Sequence, residues 1–290
     1  MGGIIDKITE FIKELLQGWA LTNFETMFTD VNDKVGTIAG EVSKTPSTWN
    51  SGIFDMIKTL SDNVMIPIAG MIISFVLVYE LISMVIDKNN LHDFNTAIFI
   101  RFFMKACIAV MLLSKTFDIV MAVFDVGSHI VNSAAATISG ETSIDVSSTL
   151  QTMFNEQFSE MSIGELLGLG METMIVSLCM KIMSVLITVI LYGRMIEIYL
   201  YVSVAPVPCA TVTNREWGTI GTNYFKGLCA LAFQGFFMMV CVAIYAVLVA
   251  GVAVSDNLHT ALWSVAAYTV ILCFSLFKTG SLSKSIWNAH

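Results

Sequence analysis

Charged side chains set inside long apolar stretches are the residues of this sequence with the most chemistry to offer. Lys181 lies in the apolar run 171–205, Arg194 and Glu197 stand three apart further along it, and Lys115 and Asp118 stand three apart in an earlier run. A charge at mid-bilayer costs at least ~2.5 kcal/mol, so such residues tend to face protein or water. Each has two readings. Lys181 either lines a subunit interface or an aqueous path, or extends its amine to the headgroups. Arg194 and Glu197 either form part of an interface or satisfy each other at a helix end. The interface reading is favoured because the segment runs on into Pro206 and Pro208, which break a helix and free backbone carbonyls at a polar boundary.

Motifs for catalysis are missing from the sequence. It holds no G-x-x-x-x-G-K-[ST] phosphate loop, no H-E-x-x-H metal helix and no G-x-S-x-G nucleophile turn. His92, His129, His259 and His290 stand apart at predicted membrane edges or at the terminus, and no apolar run supplies the side-chain pairs that intramembrane proteolysis requires. The six cysteines fall in or beside apolar segments without metal-ligand spacing, and read as small core hydrophobes with no disulfide. The residues predict neither an enzyme nor a bound cofactor.

The elements that must position these charges follow from composition. Of 290 residues, 56 % are hydrophobic and 13 % charged, with mean hydropathy +0.75, whereas a soluble domain carries about 25 % charged residues. This excludes a disordered chain, a collagen, a coiled coil and a disulfide scaffold. An excess of 23 Asp and Glu over 15 Lys and Arg argues against a surface that coats nucleic acid. The sequence predicts an all-α, polytopic transmembrane helical bundle.

A span needs ~20 apolar residues to cross a core about 30 Å thick. The runs 64–86, with Glu80 as its one charge, 171–205, 227–255 and 257–277 qualify. A fifth, about 97–126, is interrupted by Arg101, Lys105, Lys115 and Asp118. It still counts as a span, because basic side chains near helix ends reach the headgroups and Lys115 shares a face with Asp118. Small residues recur along 227–255, including Gly227, Ala232, Gly235 and Ala246, as where helices approach closely in lipid. Gly235 is thus a candidate for a seam between subunits, although a helix apolar all round can also be a lipid-facing or buried span.

Orientation follows from lysine and arginine in the short loops. The stretch 125–170 has none of either and six acids, which places it outside. Lys88, Arg101 and Lys105, then Arg194, Arg215 and Lys226, and finally Lys278 and Lys284 fall on the cytoplasmic side. The expectation is five spans with the N-terminus outside and the C-terminus inside. A competing parse splits 171–210 into two spans at Gly193.

Five regions result: 1–63 outside the cytoplasm, two spans over 64–126, an external loop 127–170, three spans over 171–277 and a cytoplasmic tail 278–290. In the first region Ile4, Ile8, Phe11, Ile12, Leu15 and Trp19 repeat at helical spacing opposite acids and lysines, which predicts an amphipathic helix. Its apolar face lies in the membrane interface, on a partner or on its own chain. Residues 22–62, with Gly36, Gly40, Pro46 and Gly52, read as a polar connector with short helical pieces. The external loop reads as flexible or ordered by a partner, with a short amphipathic helix over 150–161.

The run R-x-x-E-I-Y-L-Y-V-S-V-A-P-V-P over 194–208, the polar turn with Trp217, and F-K-G-L-C-A-L-A-F-Q-G-F-F-M over 225–238 carry a resemblance. Together they resemble the central region of the TrbL/VirB-type polytopic membrane subunits of conjugative type IV secretion systems, in the form found in mobile elements of Gram-positive bacteria. The resemblance covers roughly 64–277, and 1–63 matches by layout alone. It implies an external N-terminus, about five spans, a large external loop and a cytoplasmic C-terminus. It also implies a platform or channel subunit that assembles with copies of itself, other secretion-system membrane subunits and cytoplasmic ATPases, with relaxase-linked DNA as transient cargo. By position, Arg194, Glu197 and Pro206 would form the family's turn and Gln234 its polar helix residue, none of them catalytic.

Two other classes fit less well. A small-molecule transporter or ion channel usually shows an inverted repeat or paired broken helices, and neither is evident here. A YidC-like insertase would carry an arginine in its first span and a long charged hairpin after it, where this chain has Glu80 and a turn of roughly nine residues. A holin-like lytic protein would be smaller.

Overall fold

The computed structural model describes residues 2–86, 96–138, 161–214, 216–252 and 257–289. The expected helix over 150–161, the turn 87–95, Arg215 and Asp256 lie outside them. The regular structure among the described residues is helical: α1 Gly2–Ser43, α2 Pro46–Trp49, α3 Ser51–Leu60, a π-helical turn Ser61–Met65, α4 Ile66–Ile86, α5 Thr96–Ser114, α6 Thr116–Ile138, α7 Ile163–Val204, α8 Pro206–Thr211, α9 Gly218–Val252 and α10 Leu258–Ile286. Five stretches are long and apolar enough to cross a membrane: Ser51–Ile86, Thr116–Thr137, Ile163–Val204, Gly218–Val252 and Leu258–Ile286. The protein is an all-α polytopic bundle.

Three elements differ from expectation. The second apolar stretch is shifted towards the C-terminus, because α5 and α6 meet at Lys115, and the span by length and composition begins at Thr116. Second, α6 continues to Ile138, through part of what reads as the external loop. Its Ser- and Ala-rich end buries Val131, and the Thr137 hydroxyl bonds back to the Ser133 carbonyl at 2.9 Å, so the polar residues decorate a helix. Third, α1 runs through the polar stretch to Ser43. Phe24, Met27, Phe28, Val31, Ile38 and Val42 form a buried stripe at helical spacing, which outweighs the propensity cost of Gly36 and Gly40.

The chain divides into two compact units. One comprises Met1–Val42, Asn132–Leu191 and Phe237–Lys278. In it α1 lies beside α7: Asn23 Nδ2 donates to Thr173 Oγ1 at 3.1 Å, and the Trp19 ring sits where a Cβ on Gly170 would fall. Tyr245 on α9 and Thr269 on α10 share a buried hydroxyl hydrogen bond of 2.9 Å, and His259 Nδ1 meets Glu172 Oε2 at 2.6 Å, so this histidine does not stand alone. Ile4, Ile8, Phe11, Ile12 and Leu15 are exposed among the described residues, while Trp19 on the same face packs on Gly170.

The other unit comprises Ser43–Val131, Tyr192–Phe236 and Thr279–His290. Its main core joins Ile57, Phe117, Val120, Phe124, Ile198, Val202, Leu228 and Leu231, with Phe54 edge-on to Phe117 at 5.5 Å. A smaller core of Ala69, Ile73, Ala109, Leu113 and Ala210 packs α8 against the α4–α5 pair.

α7 is one helix of 42 residues with no break at Gly193. At 1.5 Å per residue it is about 63 Å long, roughly twice the hydrocarbon core. It ends at Val204 because Pro206 has no N–H to donate and its ring would meet the preceding turn. The Ala205 N–H bonds instead to the Val202 carbonyl at 3.3 Å, a tightened last turn.

Candidate functional site

The second unit holds two polar sites, one partly buried and one built around a buried arginine. The first lies where α4, α5 and the turn 212–217 meet. Glu80, the one charge of its run, accepts from Lys105 Nζ through Oε1 and from Asn214 Nδ2 through Oε2 at 3.2 Å. Asn214 Oδ1 in turn accepts the backbone N–H groups of Glu216 at 2.8 Å and Trp217 at 2.9 Å, which fixes the turn. Tyr79 donates to Glu216 Oε2 at 2.8 Å, and the Trp217 ring stacks on Phe75 at 5.5 Å and Tyr79 at 5.8 Å. The α4 charge therefore ties a distant polar turn to the α4–α5 pair.

α8 carries this turn, and both its prolines are buried. The Pro208 carbonyl accepts from Thr211 Oγ1 at 2.8 Å and faces Gly221, where a Cβ would lie 2.6 Å away. The expected break is present, but Pro206 and Pro208 serve a packed element against α4. Burial pushes the Cys209 thiol between them and the turn up to about 11, so it stays protonated.

The second site joins α7, α9 and α10. Arg194 is 8 % exposed; its Nη2 donates to the Leu231 carbonyl over a long 3.5 Å, and its Nε has no acceptor among the described residues. Glu197 does not pair with it. Glu197 Oε1 instead meets Lys284 Nζ on α10 at 2.7 Å. The self-satisfied pair is thus replaced by an ion pair between helices and a buried arginine without a carboxylate. One turn beyond Leu231, Gln234 Nε2 reaches Thr279 Oγ1 at 3.5 Å while its Oε1 lacks a donor. Gly280 makes room, since a Cβ there would stand 3.2 Å from Gln234 Nε2. Tyr199 donates to the Pro46 carbonyl at 2.7 Å, and Tyr224 to the Tyr201 carbonyl at 2.8 Å.

The remaining candidates separate from these sites. Lys115 and Asp118 form their expected pair at 3.2 Å on an exposed surface at the α5–α6 junction. Gly235 is buried on α9. Lys181 belongs to the first unit and lines a cleft with Asp30, Asp33 and Lys34. Sequence reasoning missed Lys105, Asn214, Glu216 and Lys284 as partners, and the lone charge of Glu80 was the signal that a partner had to exist.

A family model described as "TrbL/VirB6 plasmid conjugal transfer like protein" matches residues 31–206. No curated protein and no solved structure matches the chain.

Proposed function

Because the chain belongs to the TrbL/VirB6 plasmid conjugal transfer-like family, we propose that it is a platform or channel subunit of a conjugative type IV secretion system, helping a DNA–protein substrate cross the cell membrane. The extent of the match carries this reading: residues 31–206 take in α2 to α7, and with them Glu80, Lys105, Lys181 and Arg194. Partly buried charges paired between helices, Glu80 with Lys105 and Glu197 with Lys284, support a structural part, and no chemical step is assigned to the chain.

In this reading the protein assembles with copies of itself, with other membrane subunits and with cytoplasmic ATPases, while relaxase-linked DNA passes as transient cargo. Its N-terminus lies outside and its C-terminus inside, as the distribution of lysine and arginine supports. An in-frame deletion in donor cells is expected to abolish transfer, and expression in trans to restore it. Unchanged transfer would overturn the proposal. Orientation is read separately in a cysteine-depleted chain: an impermeant thiol reagent should label Ser143→Cys on intact cells and Asn90→Cys only after permeabilisation, and the reverse order contradicts it.

A further inference from the structure

In the first unit a cleft of about 380 Å³ opens between α1 and α7. Its charges gather at one end. Asp30, Asp33 and Lys34 come from α1 and Lys181 from α7, with the Ser184 hydroxyl beside them. Lys34 is only 7 % exposed, yet no hydrogen bond or ion pair holds its ammonium among the described residues. Burial lowers its proton affinity and Asp30 raises it. Further along both helices the lining is mostly apolar, with Ile38 on α1 and Val185, Ile187 and Leu191 on α7, joined by the hydroxyls of Thr37 and Thr188. The cleft therefore grades from two cations and two carboxylates into a lining of aliphatic side chains and two threonines.

Depth agrees with this polarity. The part of α7 beyond Lys181, residues 182–204, is about 35 Å long at 1.5 Å per residue. That alone crosses a core of about 30 Å. Lys181 can thus stand at headgroup level, with the earlier turns of α7 projecting beyond the membrane.

We propose that this cleft seats a zwitterionic phospholipid whose headgroup carries a primary ammonium. Its phosphate lies between Lys34 and Lys181, its ammonium on Asp30 and Asp33, and the start of an acyl chain along Ile38, Val185 and Leu191. The two lysines match a phosphate, and the two carboxylates match an ammonium that can donate hydrogen bonds. A phosphatidylglycerol headgroup would leave the carboxylates unanswered, and the quaternary ammonium of phosphatidylcholine cannot donate to them.

Native mass spectrometry of the full-length protein in mild detergent, loaded with equal amounts of phosphatidylethanolamine, phosphatidylcholine and phosphatidylglycerol, tests this directly. Phosphatidylethanolamine should be retained about tenfold over the other two, the ratio given by about 1.4 kcal/mol. Lys34→Gln and Lys181→Gln should each remove that preference, and the double variant Asp30→Asn/Asp33→Asn should shift it towards phosphatidylglycerol. Should a lysine variant fail to fold, as judged by loss of a monodisperse helical species, the aspartate variant is read alone. Equal retention of the three lipids by the wild type, or an unchanged preference in a folded variant, would overturn the proposal. Displacement of the lipid by soluble glycerophosphoethanolamine at equal concentration would overturn its lipid part and assign the cleft to a free headgroup.

Discussion

At the junction of α4, α5 and the 212–217 turn each partly buried charge has an answer: Glu80 meets Lys105 and Asn214, and the turn's own N–H groups meet Asn214. Around Arg194, in the same unit, the guanidinium has a distant carbonyl and an orphaned Nε, while the nearest carboxylate along its helix is taken by Lys284. A compensated pair between helices works as a fastening, because removing either partner strands the other in a poor solvent. A buried arginine without a counter-charge costs stability wherever it stands. The difference teaches that burial of charge alone does not identify a functional group; what matters is whether its neighbours already satisfy it.

The comparison is broken most sharply at Lys105. Lys105→Met strands the Glu80 carboxylate, whose side chain is 15 % exposed, and should destabilise the protein by about 3 kcal/mol. Thermal unfolding in detergent would show this as a lowered Tm. The double variant Glu80→Gln/Lys105→Met should recover most of the loss, and no recovery would mean that the pair is not the fastening. A smaller effect is expected at Gly221, where a Cβ would press to 2.6 Å from the Pro208 carbonyl and 2.3 Å from Val212 Cγ2. Gly221→Ala should cost about 1–3 kcal/mol through overpacking, whereas Gly18→Ala, with open space around it, should not lower the Tm. Tyr199→Phe removes the hydroxyl from the Pro46 carbonyl and should cost about 1 kcal/mol, measurable in the same melts.

Most spans were legible in the sequence because hydropathy acts locally: five apolar stretches were expected and five helices qualify among the described residues, with the one expected over 97–126 found at Thr116–Thr137. Where composition was ambiguous, packing decided. Gly36 and Gly40 read as punctuation, yet the stripe from Phe24 to Val42 carries α1 through them. Serine, threonine and glycine after Asp125 read as loop, yet α6 absorbs them as far as Ile138. Pairings were less legible still. Arg194 and Glu197 look like partners because they are three residues apart, whereas Glu197 finds Lys284 87 residues away and Glu80 finds Asn214 134 residues away. Pattern rules describe neighbours on one helix, and these contacts depend on which helices lie side by side.

The smallest stability effect and the most telling function belong to Arg194. Under the proposed function, Arg194, which has no counter-charge among the described residues, is expected to be retained for transfer at a cost in stability. An apolar side chain of similar length in place of a buried ion is often neutral or stabilising, so Arg194→Met should leave the Tm unchanged or raise it. The decisive measurement is transfer frequency from donors carrying Arg194→Met at wild-type membrane levels. The account predicts a fall of about tenfold or more, the equivalent of one lost interaction of about 1.4 kcal/mol. Wild-type transfer by a stable, correctly inserted Arg194→Met protein would contradict it.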